Sequence, residues 1–509
     1  MPEKNMMKKF ISIALAAVIL IACDHPTVPN NAQQESRLPR IYPDYTDVTI
    51  PCNICPLNFA VQEDASEVVA KFTFPDGERV YGEGQKVLIN EEEWADILKA
   101  AKGNSIEVEV YAKKGGTWKV YKPFNIYVAE DSIDSYISYR VIQPSYVAYE
   151  KLSINQRNLT NFEEKDIYNN MSISTEGDGQ CINCHSYKNF KTDNMLFHMR
   201  QGHGGTMIVT NGELRKVDLK TEQTISAGVY PAWHPTHNLI AFSTNSTGQS
   251  FHTKDIAKIE VQDKESDLIL YDVDKNEVSI ITELEDELEV FPTWSPDGRK
   301  LYFCSAHFEY KNDSILPETE MIQRYKEVKY DLYSADFDPD KKEFSNVEMI
   351  YHASDTTGQK TGQSVTLPRV SPDGRYILFA QAAFGCFHVW HRDADIYLMD
   401  LKTKQVQKLD AVNSDRSESY PTWSSNGRWI MVASRRDDGN YTRPYIAYFD
   451  KKGKAHKAFA VPQKDPNFYT FFLRSFNRPE FMVEPVKVLP QEFTKKAKED
   501  AIPAKFAAQ

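Results

Sequence analysis

Polar and apolar positions alternate with a period of two over much of this chain. Ser105-Ile106-Glu107-Val108-Glu109-Val110-Tyr111 switches strictly between apolar and charged side chains, which gives a strand one wet and one dry face. Comparable short runs at Glu67–Phe74 and 117–121, punctuated by turns, carry the pattern from about residue 46 to 150. Residues 91–102 interrupt it and read as a helix. Together they predict a small β-sandwich of immunoglobulin or fibronectin type over residues 46–150.

Residues 151–194 read as a connecting segment, with a helix around 161–171 and then a Gly- and Ser-punctuated loop holding Cys181-Ile182-Asn183-Cys184-His185. From residue 195 to 485 an internal repeat takes over. Tyr230-Pro-Ala-Trp-His-Pro235, Phe291-Pro-Thr-Trp-Ser-Pro-Asp-Gly-Arg299, Leu367-Pro-Arg-Val-Ser-Pro-Asp-Gly-Arg375 and Tyr420-Pro-Thr-Trp-Ser-Ser-Asn-Gly-Arg428 each lead into an apolar strand. Asp-Gly or Asn-Gly supplies the positive φ that a tight hairpin needs. A second hairpin follows each copy, as at Asp267–Val273 and Asp395–Leu401. Four strands per repeat, unable to bury their own faces alone, predict an all-β chain ending in a β-propeller. Six blades fit the spacing, with five or seven as alternatives; residues 486–509 form a tail.

These Pro-x-Trp-Ser-Pro-Asp-Gly-Arg copies resemble the TolB-like, WD-type propeller repeats, and the resemblance implies the fold without a function. In the first copy Thr236-His237 replaces Asp-Gly, so its turn departs from the pattern.

The N-terminus holds Lys4, Lys8 and Lys9, an apolar run from Phe10 to Ile21 broken only by Ser12, and then Ala22-Cys23. The run is too short for a membrane span and reads as a signal peptide over residues 1–22. Leu20-Ile21-Ala22-Cys23 resembles a bacterial lipobox, which implies lipidation of Cys23 and an anchored location in the cell envelope. Residues 23–45, rich in Pro, Asn and Gln, read as a flexible tether.

The formal net charge of −12 leaves no broad basic surface, so nucleic acid is excluded as a partner. Seven cysteines in 509 residues are too few to staple the fold, so each carries its own meaning. Cys181-x-x-Cys184-His185 has the spacing of haem c attachment, in which two thiols join the haem vinyls and the histidine becomes an axial ligand. A Cys181–Cys184 disulfide, or a zinc site completed by Cys52 and Cys55, are the alternatives. His198 is the favoured second axial ligand, with Met195, Met199 and His203 as alternatives. On a strand Met195 and Met199 share one face and His198 takes the other, so they cannot all approach one group. Cys52-Asn-Ile-Cys55 lacks the histidine and reads as a disulfide; Cys304 reads as a buried apolar residue, and Cys386 has no assignment.

The stretch from Gln156-Arg157-Asn158-Leu159 through Cys181-Ile-Asn-Cys184-His185-Ser-Tyr187 to Phe197-His198-Met199-Arg200 and Gly204-Gly205-Thr206-Met207 resembles haem-containing TolB-like lipoproteins of Bacteroidetes type. That resemblance implies a lipid-anchored monohaem c-type cytochrome, an electron carrier or redox sensor with an envelope protein partner. No G-x-S-x-G, P-loop or H-E-x-x-H motif points to an enzyme. A non-catalytic scaffold binding envelope proteins or glycans, with the C-x-x-C-H structural, is the competing expectation.

Overall fold

The computed structural model describes residues 26–143, 151–173, 180–254, 257–282, 284, 286–312, 314–353 and 363–507. The chain is all-β: an N-terminal sandwich followed by a ring of four-stranded sheets. Seven strands form one sandwich sheet and three short ones, Ile41–Tyr42, Phe59–Val61 and Lys86–Val87, form the other. The expected helix spans Glu91–Ala101; the Asn90 side chain caps it, and Trp94, Ile97, Leu98 and Ala101 are buried. The tether is shorter than expected, because Gln33–Gln34 already pairs in parallel with the strand Thr117–Val120 and Ile41–Tyr42 with Phe59–Val61. Cys23 and the signal peptide lie outside the described residues.

The ring has six blades, and their innermost strands are Ser475–Met482, Cys181–Lys188, Val229–Trp233, Glu287–Trp294, Ser364–Val370 and Glu418–Trp423. We number the blades 1 to 6 in that order. Each inner strand touches the next, and the last touches the first, so the ring is closed. Blade 1 is composite. Its outer strands Tyr136–Ile142, Ser153–Asn158 and Glu164–Asn169 come from the start of the ring, whereas its inner strand comes from the end and pairs antiparallel with Tyr136–Ile142. The closing strand ties the two ends of the ring together by backbone hydrogen bonds.

This arrangement corrects the sequence reading at three places. Residues 151–194 do not form a separate segment, since their strands belong to blades 1 and 2. The helix expected around 161–171 is instead the strand Glu164–Asn169 and the single 3₁₀ turn Asn170–Ser172; hydrogen bonding to its neighbour in the sheet decided between them. The tail is ordered. Its helix Pro490–Ala497 buries Phe493 and Ala497 beneath blades 1 and 2, and Ile502–Pro503 and Lys505–Phe506 add edge strands to blades 2 and 3.

The repeat motif is explained by how neighbouring blades touch. In the Ser-Pro-Asp-Gly turn, Asp297 Oδ1 accepts from the Ser295 hydroxyl and the Arg299 N–H, and Gly298 N–H donates to Ser295 O. Ser424 and Asn426 repeat the pattern. The proline of one blade lies against the turn glycine of the next: Pro296 against Gly374, and Pro372 against Gly427. Trp294 and Trp423 donate their indole N–H groups to Ala232 O and Arg369 O of the preceding blades. In blade 3 His234 takes over the work of the missing Asp-Gly, accepting at Nδ1 from the N–H groups of Thr236 and His237 and donating from Nε2 to Gly298 O.

Gly298 therefore carries two constraints. Its φ is +70°, and a Cβ there would stand 2.3 Å from the His234 ring. Gly374, at φ +71°, would meet Pro296 only at an ordinary 3.5 Å. Gly298→Ala is expected to cost about 2–4 kcal/mol and Gly374→Ala about 1 kcal/mol, read from urea unfolding midpoints. Equal losses at both sites would remove the His234 contact from the explanation.

The sandwich is fixed to blades 5 and 6 through one shared core. Asp134 accepts from the Ser425 N–H and hydroxyl at 2.7 and 2.5 Å, and Ser132 O accepts from the Trp429 indole at 2.9 Å.

Candidate functional site

Every inner strand of the ring contains a bulge at the same place, marked by one non-glycine residue with positive φ. These residues are Arg478 (+51°), Cys184 (+56°), Tyr230 (+50°), Phe291 (+57°), Leu367 (+57°) and Tyr420 (+49°). Pairing with the next strand shifts register at each of them. Five of the six are followed by proline, and the sixth, Cys184, is followed by His185. The Cys184-His185-Ser186-Tyr187 segment is thus the blade 2 copy of the Tyr-Pro-x-Trp repeat, and Arg478-Pro479-Glu480-Phe481 is the blade 1 copy. Neither was visible as a copy in the sequence, because His, Tyr and Phe stand where the recognised copies have Pro and Trp.

The bulges shape the space along the ring axis. At one end lies a cavity of about 710 Å³ whose wall includes Cys181, Asn183, Cys184, His198, Met199 and Arg200. Both motif thiols line this single space. Cys181 is half-buried and Cys184 is buried. At the other end Ser186 and Tyr187 line a second cavity of about 350 Å³. Of residues 181–187 only Ile182 and His185 line neither.

His185 is 1% exposed and lies near Ser138 and Arg478 of blade 1, with its Nε2 lacking a hydrogen-bond partner. Burial, reinforced by the Arg478 and Arg140 charges, pushes its pKa down to about 3. His198 is buried on the cavity wall. Its Nδ1 is 3.1 Å from the Thr206 hydroxyl on the neighbouring strand, and burial with the Arg200 charge takes its pKa down to about 3. Both rings are neutral at pH 7, the form that ligates iron.

Met195, Phe197 and Met199 pack in the core beside Tyr168 and Ile182, although Met199 also reaches the cavity wall. Gly204 and Gly205 line the mouth, whereas His203 sits in the turn Gln201–His203 and donates its N–H to Gln180 Oε1. Gln156 and Arg157 serve the framework instead. Gln156 accepts from Val486 N–H, and buried Arg157 donates to Pro462 O.

An arm leans over the mouth. The hairpin Leu239–Phe251 and Ile259–Asp272 of blade 3 extends past its sheet, placing Thr247, Gln249 and Val261 on the cavity wall. Its far side is held to blade 5. Glu260 and His391 meet at 2.6 Å in full burial, and Ile259 and Val261 pack on Val389 and Trp390.

The sulfurs expected elsewhere lie apart from this cavity. Cys52 and Cys55 stand as free thiols, so the expected disulfide is not formed: Cys52 Sγ faces Glu130 O at 3.7 Å, and Cys55 Sγ faces Arg157 at 4.0 Å. Burial pushes the Cys55 thiol up to about 12. Among the described residues no group of three or more His, Cys, Asp or Glu could hold a metal ion, so the four thiols do not form a zinc site. Cys304 is fully buried in blade 4, and Cys386 is buried beneath the arm, 3.6 Å from Val261 O.

Two thiols, a neutral histidine and a polar wall facing one cavity fit a covalently attached haem. His185 is the motif residue that does not face it.

No known sequence family matches the chain, and no curated protein matches it. Among solved structures it is similar to TolB from Acinetobacter baumannii, with 13% identity over 77% of this chain and 85% of that one, at a TM-score of 0.41. The tricorn protease is similar at 12% identity and a TM-score of 0.33, over 72% of this chain and 34% of that one. An oligogalacturonate lyase from Vibrio parahaemolyticus is similar at 14% identity and a TM-score of 0.30, over 60% of this chain and 85% of that one. The propeller assignment rests on the strand pairing described above. Among the described residues no helix is long and apolar enough to cross a membrane.

Proposed function

We propose that this protein is a monohaem c-type cytochrome built on a TolB-like propeller, anchored in the bacterial envelope through Cys23, which transfers electrons or senses redox state. The observation that carries this reading is that Cys181 and Cys184 open onto one axial cavity, whose volume of about 710 Å³ suits a cofactor. Cys181 and Cys184 would hold the haem, with His198 on the cavity wall as the candidate axial ligand; His185, which turns towards blade 1, would reach the iron only if its ring swung into the cavity. Bound there, the haem supplies one-electron chemistry. The chain's own contribution is to keep both imidazoles neutral by burial, to fix His198 through Thr206, and to shelter the site beneath the blade 3 arm.

The test is expression with haem-attachment machinery, followed by absorption spectra of the oxidised and reduced protein and the mass of the intact chain. A covalent chromophore is expected in the parent protein and in neither Cys181→Ser nor Cys184→Ser. A colourless parent protein would sink the reading.

One observation favours a scaffold instead: His185 occupies the position of the structural prolines in the other five inner strands. On that reading His185→Ala lowers stability and removes no chromophore.

A further inference from the structure

The axial cavity is cationic in a protein of net charge −12. Arg140 and Arg478 lie in its wall at 7% and 8% exposure, and Arg200 and Lys220 stand exposed at its mouth. Arg140 spends its hydrogen bonds on neutral acceptors, donating from Nε to Asn477 Oδ1 at 3.0 Å and from Nη1 to Ile182 O at 2.9 Å. Arg478 shares Glu480 with Arg369, the two guanidinium groups reaching the same Oε1 at 3.4 and 3.2 Å. Among the described residues Arg478 and Arg369 therefore share one carboxylate, and Arg140 has none. Among the described residues the one acidic side chain on the cavity wall is Asp218, exposed at the rim and accepting from the Lys220 N–H.

Buried charge is ordinarily paired, because the protein interior does not replace lost hydration. Here two positive charges are left over, and Arg478 Nη1 is buried without a hydrogen-bond partner. Guanidinium groups present paired N–H donors that match a carboxylate. Resting on the haem reading above, we propose that Arg140 and Arg478 within the wall, with Arg200 at the mouth, bind the two propionate carboxylates of the haem. The ligand's charge of two then balances the excess of the wall.

The experiment uses the full chain carrying Cys181→Ser and Cys184→Ser, so that binding is reversible, titrated with free haemin and with its dimethyl ester. Esterification removes the carboxylate charges and leaves the ring unchanged. Haemin is expected to bind about tenfold more tightly than the ester. Arg200→Gln, an exposed position that does not threaten folding, should reduce that preference about threefold. Arg478→Gln, checked for folding by circular dichroism, should reduce it further. Equal affinity for the two forms, or no binding of haemin, overturns the proposal. Covalent haem in the parent protein together with no preference for the diacid in the doubly substituted chain would defeat this inference alone, whereas failure of the haem reading shows separately as a colourless parent protein.

Discussion

A chain ended after Gln463 is expected to lose its cooperative fold altogether. It would lack Ser475–Met482, the strand that closes the ring, and blade 1 would keep only its three outer strands. Tyr136–Ile142 would become an open edge with unpaired backbone groups, although six of its seven residues are buried in the intact protein. The loss extends to side chains. Phe476 is 2% exposed and meets the Tyr139 ring edge-on at 4.8 Å, and Met482 is fully buried between blades 1 and 2. Near-ultraviolet circular dichroism should disappear and ANS fluorescence should rise. In the full chain Phe476→Ala should cost about 3–5 kcal/mol. A truncated chain that still melts cooperatively would show that ring closure is dispensable.

The second large effect is acid sensitivity. Burial holds His388 at a pKa of about 3 and His234 at about 4, and in protein without bound haem His185 and His198 add two more near 3. An unfolded histidine titrates near 6.5, so below that pH the unfolded chain takes up protons that the folded chain refuses. Stability is therefore complete above about pH 6.5 and falls as pH drops towards 3, by up to about 1.4 kcal/mol per pH unit for each histidine. Asp263 and Glu418, which burial holds above the usual carboxylate range, act in the opposite direction. Comparing the parent chain with His388→Gln over the interval from pH 6.5 to 5.5 therefore isolates one histidine. Urea midpoints should fall steeply across it, and His388→Gln should flatten the slope by one histidine's share. An unchanged slope in that variant would mean that His388 is not titrating as the buried ring implies. Its Nδ1 contact with the Thr366 hydroxyl at 2.9 Å is consistent with a neutral ring.

The propeller was legible because turn chemistry is local. Pro-x-Trp-Ser-Pro-Asp-Gly-Arg writes a hairpin within nine residues, and four such copies suffice to reveal the period. Blade 1 was not legible, since its inner strand and its partner lie more than 300 residues apart and only ring closure pairs them. The same distance hid the tail strands, whose partners are in blades 2 and 3. The helix expected at 161–171 failed for a related reason: local preference yielded to a sheet edge that the sequence does not display.

The motif divides along the same line. Cys181-x-x-Cys184-His185 and the alternation of His198 with Met195 could be read directly from spacing, whereas Met199, expected on the face away from His198, reaches the same cavity wall. What spacing could not convey is that this motif is itself a blade strand, with Cys184 at the bulge that every inner strand repeats. Nor could it foresee that Arg140, Arg200 and Arg478 would line one cavity with the two thiols. The sequence by itself determined the repeat, the turns and the candidate chemistry, all set by neighbours within about ten residues. Only the tertiary structure decided that His185 turns towards blade 1 while both cysteines face the axis, because closure of the ring sets which side of an inner strand meets the channel and which meets the next blade.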